Sequence, residues 1–274
     1  MPSLSIADVI DRFPDFRVAL VVAEDLRIGA ARSDALAAEI AAIEDACRKR
    51  WNGAELSAIP GVAAWRAAYK GFGIKRTSYR SSVERLIKRV LAGGAQPEVN
   101  ALVDLYNAAS LASELCLGCD DLDATEGDLA FRFSCPDDSF IDMGAEAGED
   151  PNDPPKVGEV VYADARHVLC RRWNWRQDAR SAVSVETRRV ALTAQSNGAG
   201  EVEAAAARVV ALIERECGGR CRVVVADRAR PVVAFGPVAR RRRPLVARAS
   251  APAASRAVTP APLRPSGRLA PPQN

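Results

Sequence analysis

Short apolar runs and helical patterns alternate along the first half of the chain. Residues 16–23 form a short run that is apolar except for Arg17, which is typical of a buried strand. Ser33 is suited to cap a helix that follows it. The apolar positions of that predicted helix recur at helical spacing: Leu36, Ile40, Ile43 and Cys47.

Two further helices are predicted before residue 110. Ser81 and Glu84 have the spacing of a capping box, and Gly93 with Gly94 marks the end of the helix that they open. Pro97 is predicted to begin the next helix. The apolar faces consist of Val83, Leu86, Ile87, Val90 and Leu91 in the first helix, and of Val99, Leu102, Val103 and Tyr106 in the second.

The pattern changes to short strands after residue 128. Leu129, Phe131 and Phe133 alternate with less apolar residues, as in a strand with one buried face. Further strands are predicted over residues 157–163, 167–171, 182–192 and 221–226, and a helix over residues 201–216. These elements predict an α/β (α+β) fold: a single domain over residues 1–235 that has a mixed sheet and flanking helices.

Composition agrees with a soluble globular domain. Hydrophobic residues make up 48% of the 274 residues and charged residues 27%, which allows a sizeable core. No apolar run reaches the ~18 residues that span a bilayer, and the N-terminus lacks the pattern of a secretory signal. Seven cysteines without the dense spacing of a secreted scaffold favour a reducing compartment. We therefore expect a cytoplasmic protein with no membrane partner.

Charge is divided unevenly between the body and the C-terminal end of the chain. Residues 237–274 hold eight arginines and eight of the 17 prolines, with no lysine and no acidic residue. Without those arginines, 30 basic residues face 35 acidic ones, so the body carries −5 where the whole chain carries +3. We expect residues 236–274 to be a disordered tail rich in Ala, Pro and Arg. This tail is either an RNA-contacting arm or a biased extension with no specific role.

A basic segment stands out inside the acidic body. Residues 65–89 contain eight basic side chains against one acid, Glu84. Basic groups bind phosphates and aromatic faces stack on bases, so the segment is a candidate RNA-binding surface. The alternative is an ordinary helix face whose aromatic residues lie in the core. The candidate RNA-binding residues are Arg66, Lys70, Lys75, Arg76, Arg80 and Arg85, and the interleaved aromatic residues are Trp65, Tyr69, Phe72 and Tyr79.

Residues 171–176, with the sequence RRWNWR, form a candidate ligand pocket. Trp173 and Trp175 flank Asn174, and three arginines surround them. Indole rings supply walls, an amide orients a ligand, and a guanidinium binds a carboxylate or phosphate. The alternative is a strand end with buried tryptophans and solvated arginines.

Metal and nucleotide chemistry have little support. The single histidine, His167, excludes a three-histidine zinc site, and any His-dependent nucleophile triad would have to use it. No phosphate-binding glycine loop occurs, so no nucleotide cofactor is expected. Two cysteine pairs are the remaining candidate zinc ligands: Cys116 with Cys119, and Cys217 with Cys221. Because no knuckle-like turn surrounds Cys116, we interpret them as structural thiols and expect no metal and no cofactor.

Polar residues gather between residues 100 and 123. Asn100, Asp104 and Asn107 lie at i, i+4 and i+7, so they share one face of a helix. Three aspartates follow, namely Asp120, Asp121 and Asp123. This grouping predicts a polar site near the end of the helix, unless Asp121 and Asp123 only cap a loop.

Several short motifs occur in an order that suggests a family. They are WRxxYxxFG at residues 65–73, NALVDLYN at 100–107, DLDxxxGxLxxR at 121–132, GEVVYxD at 158–164 and CRxWNxR at 170–176, with Thr187 after them. Together they resemble the B3/B4-type module of the phenylalanyl-tRNA synthetase beta chain in a free-standing form. The resemblance covers about residues 15–230.

The resemblance implies an α/β module that, in the synthetase, holds the editing site and hydrolyses wrongly attached amino acids from tRNA. It also implies that this chain acts in trans on the acceptor end of a tRNA. The synthetase pattern has a His at the position of Asp120, so its His-dependent chemistry does not carry over. An aminoacyl ester is already activated, so holding water and stabilising the oxyanion remain sufficient requirements.

Site residues follow from this interpretation. We expect Asp123, and in second place Asp120, to orient the attacking water. The candidate substrate-binding residues are Asn107, Trp173, Asn174 and Arg176; the two amides would orient the amino acid, and Arg176 would lie near the terminal phosphate or the carbonyl. The alternative function is a non-catalytic tRNA- or RNA-binding domain, or an amino-acid sensor.

Overall fold

Five helices and two β-sheets form the described part of the chain, which comprises residues 1–74, 79–146 and 148–236 of a computed structural model. This combination confirms the predicted α/β class. The predicted tail lies outside the described residues from residue 237 onwards. The helices are α1 (Asp34–Trp51), α2 (Pro60–Gly71), α3 (Ser82–Leu91), α4 (Ala101–Ser113) and α5 (Val202–Glu216).

The four-stranded sheet is antiparallel and contains the apolar run at residues 16–23. Its strand order is β3 (Cys116–Asp121), β8 (Val190–Asn197), β2 (Phe16–Glu24) and β9 (Arg220–Ala226). β2 lies between two strands and is buried on both faces, so its sequence is continuously apolar from Val18 to Ala23 rather than alternating. β3 forms an edge of this sheet, and Asp120 and Asp121 stand at its end.

The six-stranded sheet is mixed. Its order is β10 (Val232–Ala234), β1 (Ser3–Ser5), β4 (Leu129–Phe133), β5 (Val160–Ala163), β6 (Val168–Arg171) and β7 (Arg176–Gln177). β1 and β4 are parallel, and the other neighbouring pairs are antiparallel. The predicted alternation in β4 is confirmed, because Leu129 and Phe131 are fully buried.

Successive residues of β2 point into two different cores. Ala19, Val21 and Ala23 pack with residues of α1, α4 and α5. The other face packs with α2, α3 and the six-stranded sheet, through Val18, Leu20 and Val22. An aromatic group fills this second core, with ring contacts among Phe13, Phe16, Trp65, Phe131 and Trp173.

Helix caps explain where three of the helices begin. The hydroxyls of Ser33 and Ser81 accept hydrogen bonds from the N–H three residues further on, at 3.1 and 3.4 Å, as predicted. The prediction that a helix begins at Pro97 is wrong. That helix begins at Ala101, because Asn100 caps it by accepting a 2.9 Å hydrogen bond from the N–H three residues on.

The strand predicted over residues 182–192 is wrong in its first part. Ser184 and Thr187 close a turn: the N–H of Ser184 donates to Oγ1 of Thr187 at 3.1 Å, and the N–H of Thr187 donates to the carbonyl of Ser184 at 3.2 Å. Such local side-chain bonds compete with strand pairing. The strand therefore begins only at Val190.

Candidate functional site

A cavity of about 550 Å³ opens between α3, α4, the edge strand β3 and the turn that joins β6 to β7. The sequence predicted a site between the helix of residues 100–107, the loop at residues 120–123 and the segment 171–176, and did not include α3 in it. The predicted catalytic and substrate-binding residues that line the cavity are Asn107, Asp120, Asn174 and Arg176, and Arg85 of the predicted RNA-binding set lines it as well. Asn107 lies on α4, Asp120 on β3, Asn174 in the turn between β6 and β7, and Arg176 at the start of β7. The fold therefore brings together side chains that are more than 60 residues apart in sequence.

Asp120 is a buried carboxyl group in the wall of this cavity, with only 4% of the residue exposed. Its Oδ1 accepts hydrogen bonds from Oγ of Ser181 at 2.7 Å and from Nε2 of Gln177 at 3.0 Å. Burial raises the pKa of Asp120 to about 7, with the charges of Asp178 and Asp164 adding to the rise and the two hydrogen bonds opposing it. At neutral pH this carboxyl can therefore both accept and donate a proton.

Asn174 is held at the cavity by a chain of hydrogen bonds. Its Oδ1 accepts from the hydroxyl of Tyr69 at 2.9 Å, and its Nδ2 donates to Oε1 of Gln195 at 3.2 Å. Gln195 in turn donates to Oγ1 of Thr193 at 2.9 Å. Because these hydrogen bonds fix both the oxygen and the nitrogen of the amide, Asn174 presents its remaining N–H in one orientation.

The turn at residues 172–175 has an unusual backbone. Arg172 and Trp173 have φ values of 45° and 69°, in the left-handed region that bulky residues rarely adopt. Trp173 is fully buried, its ring lies 4.8 Å from that of Phe16, and its backbone N–H donates to the carbonyl of Val160 at 2.7 Å. The structure therefore places Trp173 in the core and not in the cavity wall. Its packing in the core holds a strained turn in place.

The polar groups in the cavity that were not predicted include the side chains of Tyr162 and Cys170. The hydroxyl of Tyr162 is buried, and none of the described residues forms a hydrogen bond with it. Cys170 also lines the cavity, but burial raises the pKa of its thiol far above its ordinary value. The thiol is therefore protonated at neutral pH and is a poor nucleophile.

Basic side chains lie at the cavity. Arg85 and Arg89 of α3 are exposed, and Arg85 donates a 3.2 Å hydrogen bond from Nη1 to the carbonyl of Trp175. Arg176 forms an ion pair with Asp142. Arg85 and Arg89 supply the positive charge that an anionic ligand would meet, whereas Asp142 offsets the charge of Arg176.

The other members of the predicted RNA-binding set have different surroundings. Arg66 and Arg80 both bind the buried carboxylate of Glu84, at 2.7 and 3.0 Å. Lys70 is exposed. Lys75 and Arg76 lie outside the described residues.

The aromatic residues of the basic segment are mostly core residues. Trp65, Tyr69 and Phe72 are each less than a tenth exposed and pack in the hydrophobic core. The prediction that they stack on bases is therefore wrong. Tyr79 is half-buried and packs edge to face on Trp175, with ring centres 5.1 Å apart.

Asp123 lies apart from this cavity. It is exposed, and Arg189 pairs with its carboxylate at 2.9 Å. Asp121 caps the short turn that follows β3, since its carboxylate accepts hydrogen bonds from the N–H of Asp123 at 3.0 Å and from Thr187 at 2.6 Å. The loop-capping alternative is therefore confirmed for Asp121.

The polar face of α4 divides in a similar way. Asn100 caps the helix, and the buried carboxylate of Asp104 binds Nε of Arg32 at 2.9 Å. Asn107 is the member of this set that lines the cavity. Within residues 1–74, 79–146 and 148–236, no group of three or more His, Cys, Asp or Glu side chains could hold a metal ion.

Comparison with protein families now identifies the chain, because residues 64–218, more than half of its length, match the model of the B3/4 domain. The chain belongs to the B3/4 domain family. The matched residues include all four predicted catalytic and substrate-binding residues that line the cavity. The remaining strands, β1, β2, β9 and β10, lie outside the match and complete the two sheets of this B3/4 domain.

Among solved structures, this B3/4 domain is similar to an N-terminal fragment of the phenylalanyl-tRNA synthetase beta-subunit from Pyrococcus horikoshii. The two are 13% identical with a TM-score of 0.40, and the match covers 80% of this chain. The chain spans 50% of that fragment. No curated protein matches the sequence. None of the helices in the described ranges is long and apolar enough to cross a membrane.

Proposed function

We propose that this B3/4 domain binds the acceptor end of a tRNA and hydrolyses a wrongly attached amino acid from it in trans. One observation carries the proposal: Asp120 is a buried carboxyl with a pKa of about 7, and it faces a cavity that also contains Asn107 and Asn174. Family membership supports a module of the synthetase-associated type.

Binding of the tRNA end rests on charge and size. Arg85, Arg89 and Arg176 lie at the cavity, where they would meet the phosphates of the acceptor strand. A volume of about 550 Å³ is within the usual range for small-molecule sites and accommodates an amino acid with its terminal ribose. Exposed Lys70 belongs to the same proposed RNA-binding set, as do Lys75 and Arg76, which lie outside the described residues.

The proposed reaction is the hydrolysis of an ester. Deprotonated Asp120 accepts a proton from a water molecule as the water oxygen attacks the ester carbonyl carbon. The bond between that carbon and the ribose oxygen then breaks, and the leaving oxygen takes the proton. The amide groups of Asn107 and Asn174 orient the amino acid, and Arg176 lies near the carbonyl or the terminal phosphate. The ester is already activated, so positioning supplies most of the catalysis.

This proposal favours Asp120 over Asp123 as the group that orients water. Asp120 faces the cavity, whereas Asp123 pairs with Arg189 at the surface.

A cytoplasmic location belongs to the same proposal, because tRNA is the substrate and the seven cysteines are all free.

A panel of mischarged tRNAs tests the proposal. Each is incubated with the purified protein, and release of the free amino acid is measured. We expect at least one tRNA to be deacylated faster than its spontaneous rate. Binding of tRNA without deacylation of any member would instead establish the non-catalytic alternative, and calorimetry showing that free amino acids bind without tRNA would establish an amino-acid sensor.

A further inference from the structure

A second cavity, of about 520 Å³, shares no lining residue with the first. Its apolar lining is formed by Phe72, Ile74, Tyr79 and Val157, and its charged side chains are those of Lys156, Glu159 and Arg172. The proposed function uses none of these residues. A cavity of this size with a few polar groups is typical of a small-molecule site.

Arg172 is the most unusual side chain in this cavity, because it is a cation with 5% of its surface exposed. Its guanidinium carbon lies 3.9 Å from the ring centre of Tyr79 and 4.3 Å from that of Trp175. The two rings meet edge to face, so the guanidinium sits in the corner between them. This packing fixes the cation and removes most of its water.

The hydrogen-bonding capacity of Arg172 is largely unused. Its Nη2 lies 3.5 Å from Oε1 of Glu159, but Arg171 already binds both oxygens of that carboxylate at 2.9–3.2 Å. Nε and Nη1 of Arg172 are buried, and none of the described residues accepts a hydrogen bond from them. Glu159 is thus shared between two buried guanidinium groups, of which Arg171 also pairs with Asp153, and Lys156 adds further positive charge.

Buried donors without acceptors are costly, and a buried cation without a full complement of partners is more so. We propose that the second cavity binds an oxyanion, the phosphate or carboxylate group of a ligand, at the guanidinium of Arg172. The apolar body of the same ligand would lie against Phe72, Ile74 and Val157. The oxyanion belongs either to a small free ligand or to a phosphate of bound RNA, since both present the same chemistry.

Calorimetric titration with phenyl phosphate tests this site, because the probe combines a phosphate with an apolar ring. We expect binding of one molecule per chain and at least tenfold weaker binding of benzamide, which has the ring but no charge. Arg172→Met should weaken phenyl phosphate binding at least tenfold. Absence of phenyl phosphate binding up to about 10 mM, or equal affinity for benzamide, would overturn the proposal.

A second pair of variants tests the site without altering the buried arginine. Val157 lines the cavity and is 70% exposed, so Val157→Glu adds a negative charge at the opening with little effect on folding. It should weaken phenyl phosphate binding at least tenfold relative to the uncharged Val157→Gln, which removes the same apolar contact without adding charge. Unchanged affinity in both Arg172→Met and Val157→Glu would refute the assignment.

Competition with tRNA distinguishes the two sources of the oxyanion. Displacement of phenyl phosphate by tRNA supports a phosphate of RNA as the occupant of the cavity. Simultaneous binding of both supports a small free ligand. Binding of phenyl phosphate is measured without any deacylation. The proposed oxyanion site is therefore tested separately from the proposed reaction.

Discussion

The hydroxyl of Tyr69, on α2, donates a 2.9 Å hydrogen bond to the side chain of Asn174, which lies 105 residues further along the chain in the turn between β6 and β7. Both residues are buried. A helix that packs in the core thereby fixes the orientation of an amide in the cavity.

Tyr69→Phe should weaken both the fold and the site. It leaves the Oδ1 of Asn174 buried without a donor, so we expect the free energy of unfolding to fall by about 1–3 kcal/mol. Denaturant unfolding measures this change, and deacylation by the folded protein should also slow. Tyr162→Phe is the matched control, because the hydroxyl it removes has no partner among the described residues. Equal stability of the Tyr69→Phe and wild-type proteins would contradict the role of this bond.

Arg85→Gln should reduce tRNA affinity at low salt, because Arg85 is exposed at the cavity. Loss of one phosphate contact should lower the slope of log affinity against log salt by about 1. Arg80→Gln provides a comparison in the same helix region, since Arg80 pairs with Glu84 and should affect the slope less. A slope that is the same in the wild-type and Arg85→Gln proteins would remove Arg85 from the interface.

The ionisation of Asp120 should appear in the pH dependence of the rate. Its pKa is raised to about 7, and the deprotonated carboxylate is the proposed base, so deacylation should increase as the pH rises through about 7 and then level off. A rate that does not change between about pH 5.5 and 8 would contradict this role.

The same shift predicts a loss of stability with rising pH. The folded protein holds the proton of Asp120 up to about pH 7, whereas an unfolded Asp loses it near pH 4. The folded state therefore binds more protons in that window, and the wild-type protein should lose stability relative to Asp120→Asn as the pH rises through it. Thermal unfolding of the two proteins at several pH values measures the difference.

Deletion of residues 237–274 tests the proposed division of the chain at residue 235. The last described contacts join Phe235 to Pro2 and β10 to β1, so they remain in the shortened chain. We expect an unchanged melting temperature and, if the arginines contact RNA, a lower tRNA affinity at low salt. A clear drop in melting temperature would place part of the folded unit beyond residue 236.

Much of the fold could be predicted because its signals are local. The capping serines, Ser33 and Ser81, lie directly before apolar residues at helical spacing, and β2 is apolar from Val18 to Ala23, where both of its faces are buried. The predicted start of α4 at Pro97 was wrong because both Pro97 and Asn100 are residues that commonly begin a helix. The side chain of Asn100 caps the helix, so the helix begins directly after Asn100.

The site could be predicted less fully because its contacts join distant residues. Ser181 and Gln177 bind Asp120 across 61 and 57 residues, and no sequence pattern marks them. Choosing between Asp120 and Asp123 also requires knowing that β3 ends at Asp121. Asp120 then belongs to the strand beside the cavity, and Asp123 belongs to the exposed turn after it.

The role of the basic segment was equally hard to judge from sequence. A count of charges cannot show that the one acid, Glu84, is buried and binds Arg66 and Arg80 together. Nor can it show that Trp65 turns inward to meet Trp173 at a ring distance of 5.3 Å. Charge density along a chain indicates an interface only after buried pairs have been removed from the count.

The central claim is that Asp120 promotes hydrolysis of an aminoacyl ester in this cavity. The most direct test is the single-turnover rate of amino-acid release from a mischarged tRNA by the wild-type, Asp120→Asn and Asp123→Asn proteins. We predict that Asp120→Asn lowers the rate at least about 100-fold with tRNA affinity retained, and that Asp123→Asn leaves it within about twofold. A full rate in Asp120→Asn, or a loss confined to Asp123→Asn, would contradict the claim.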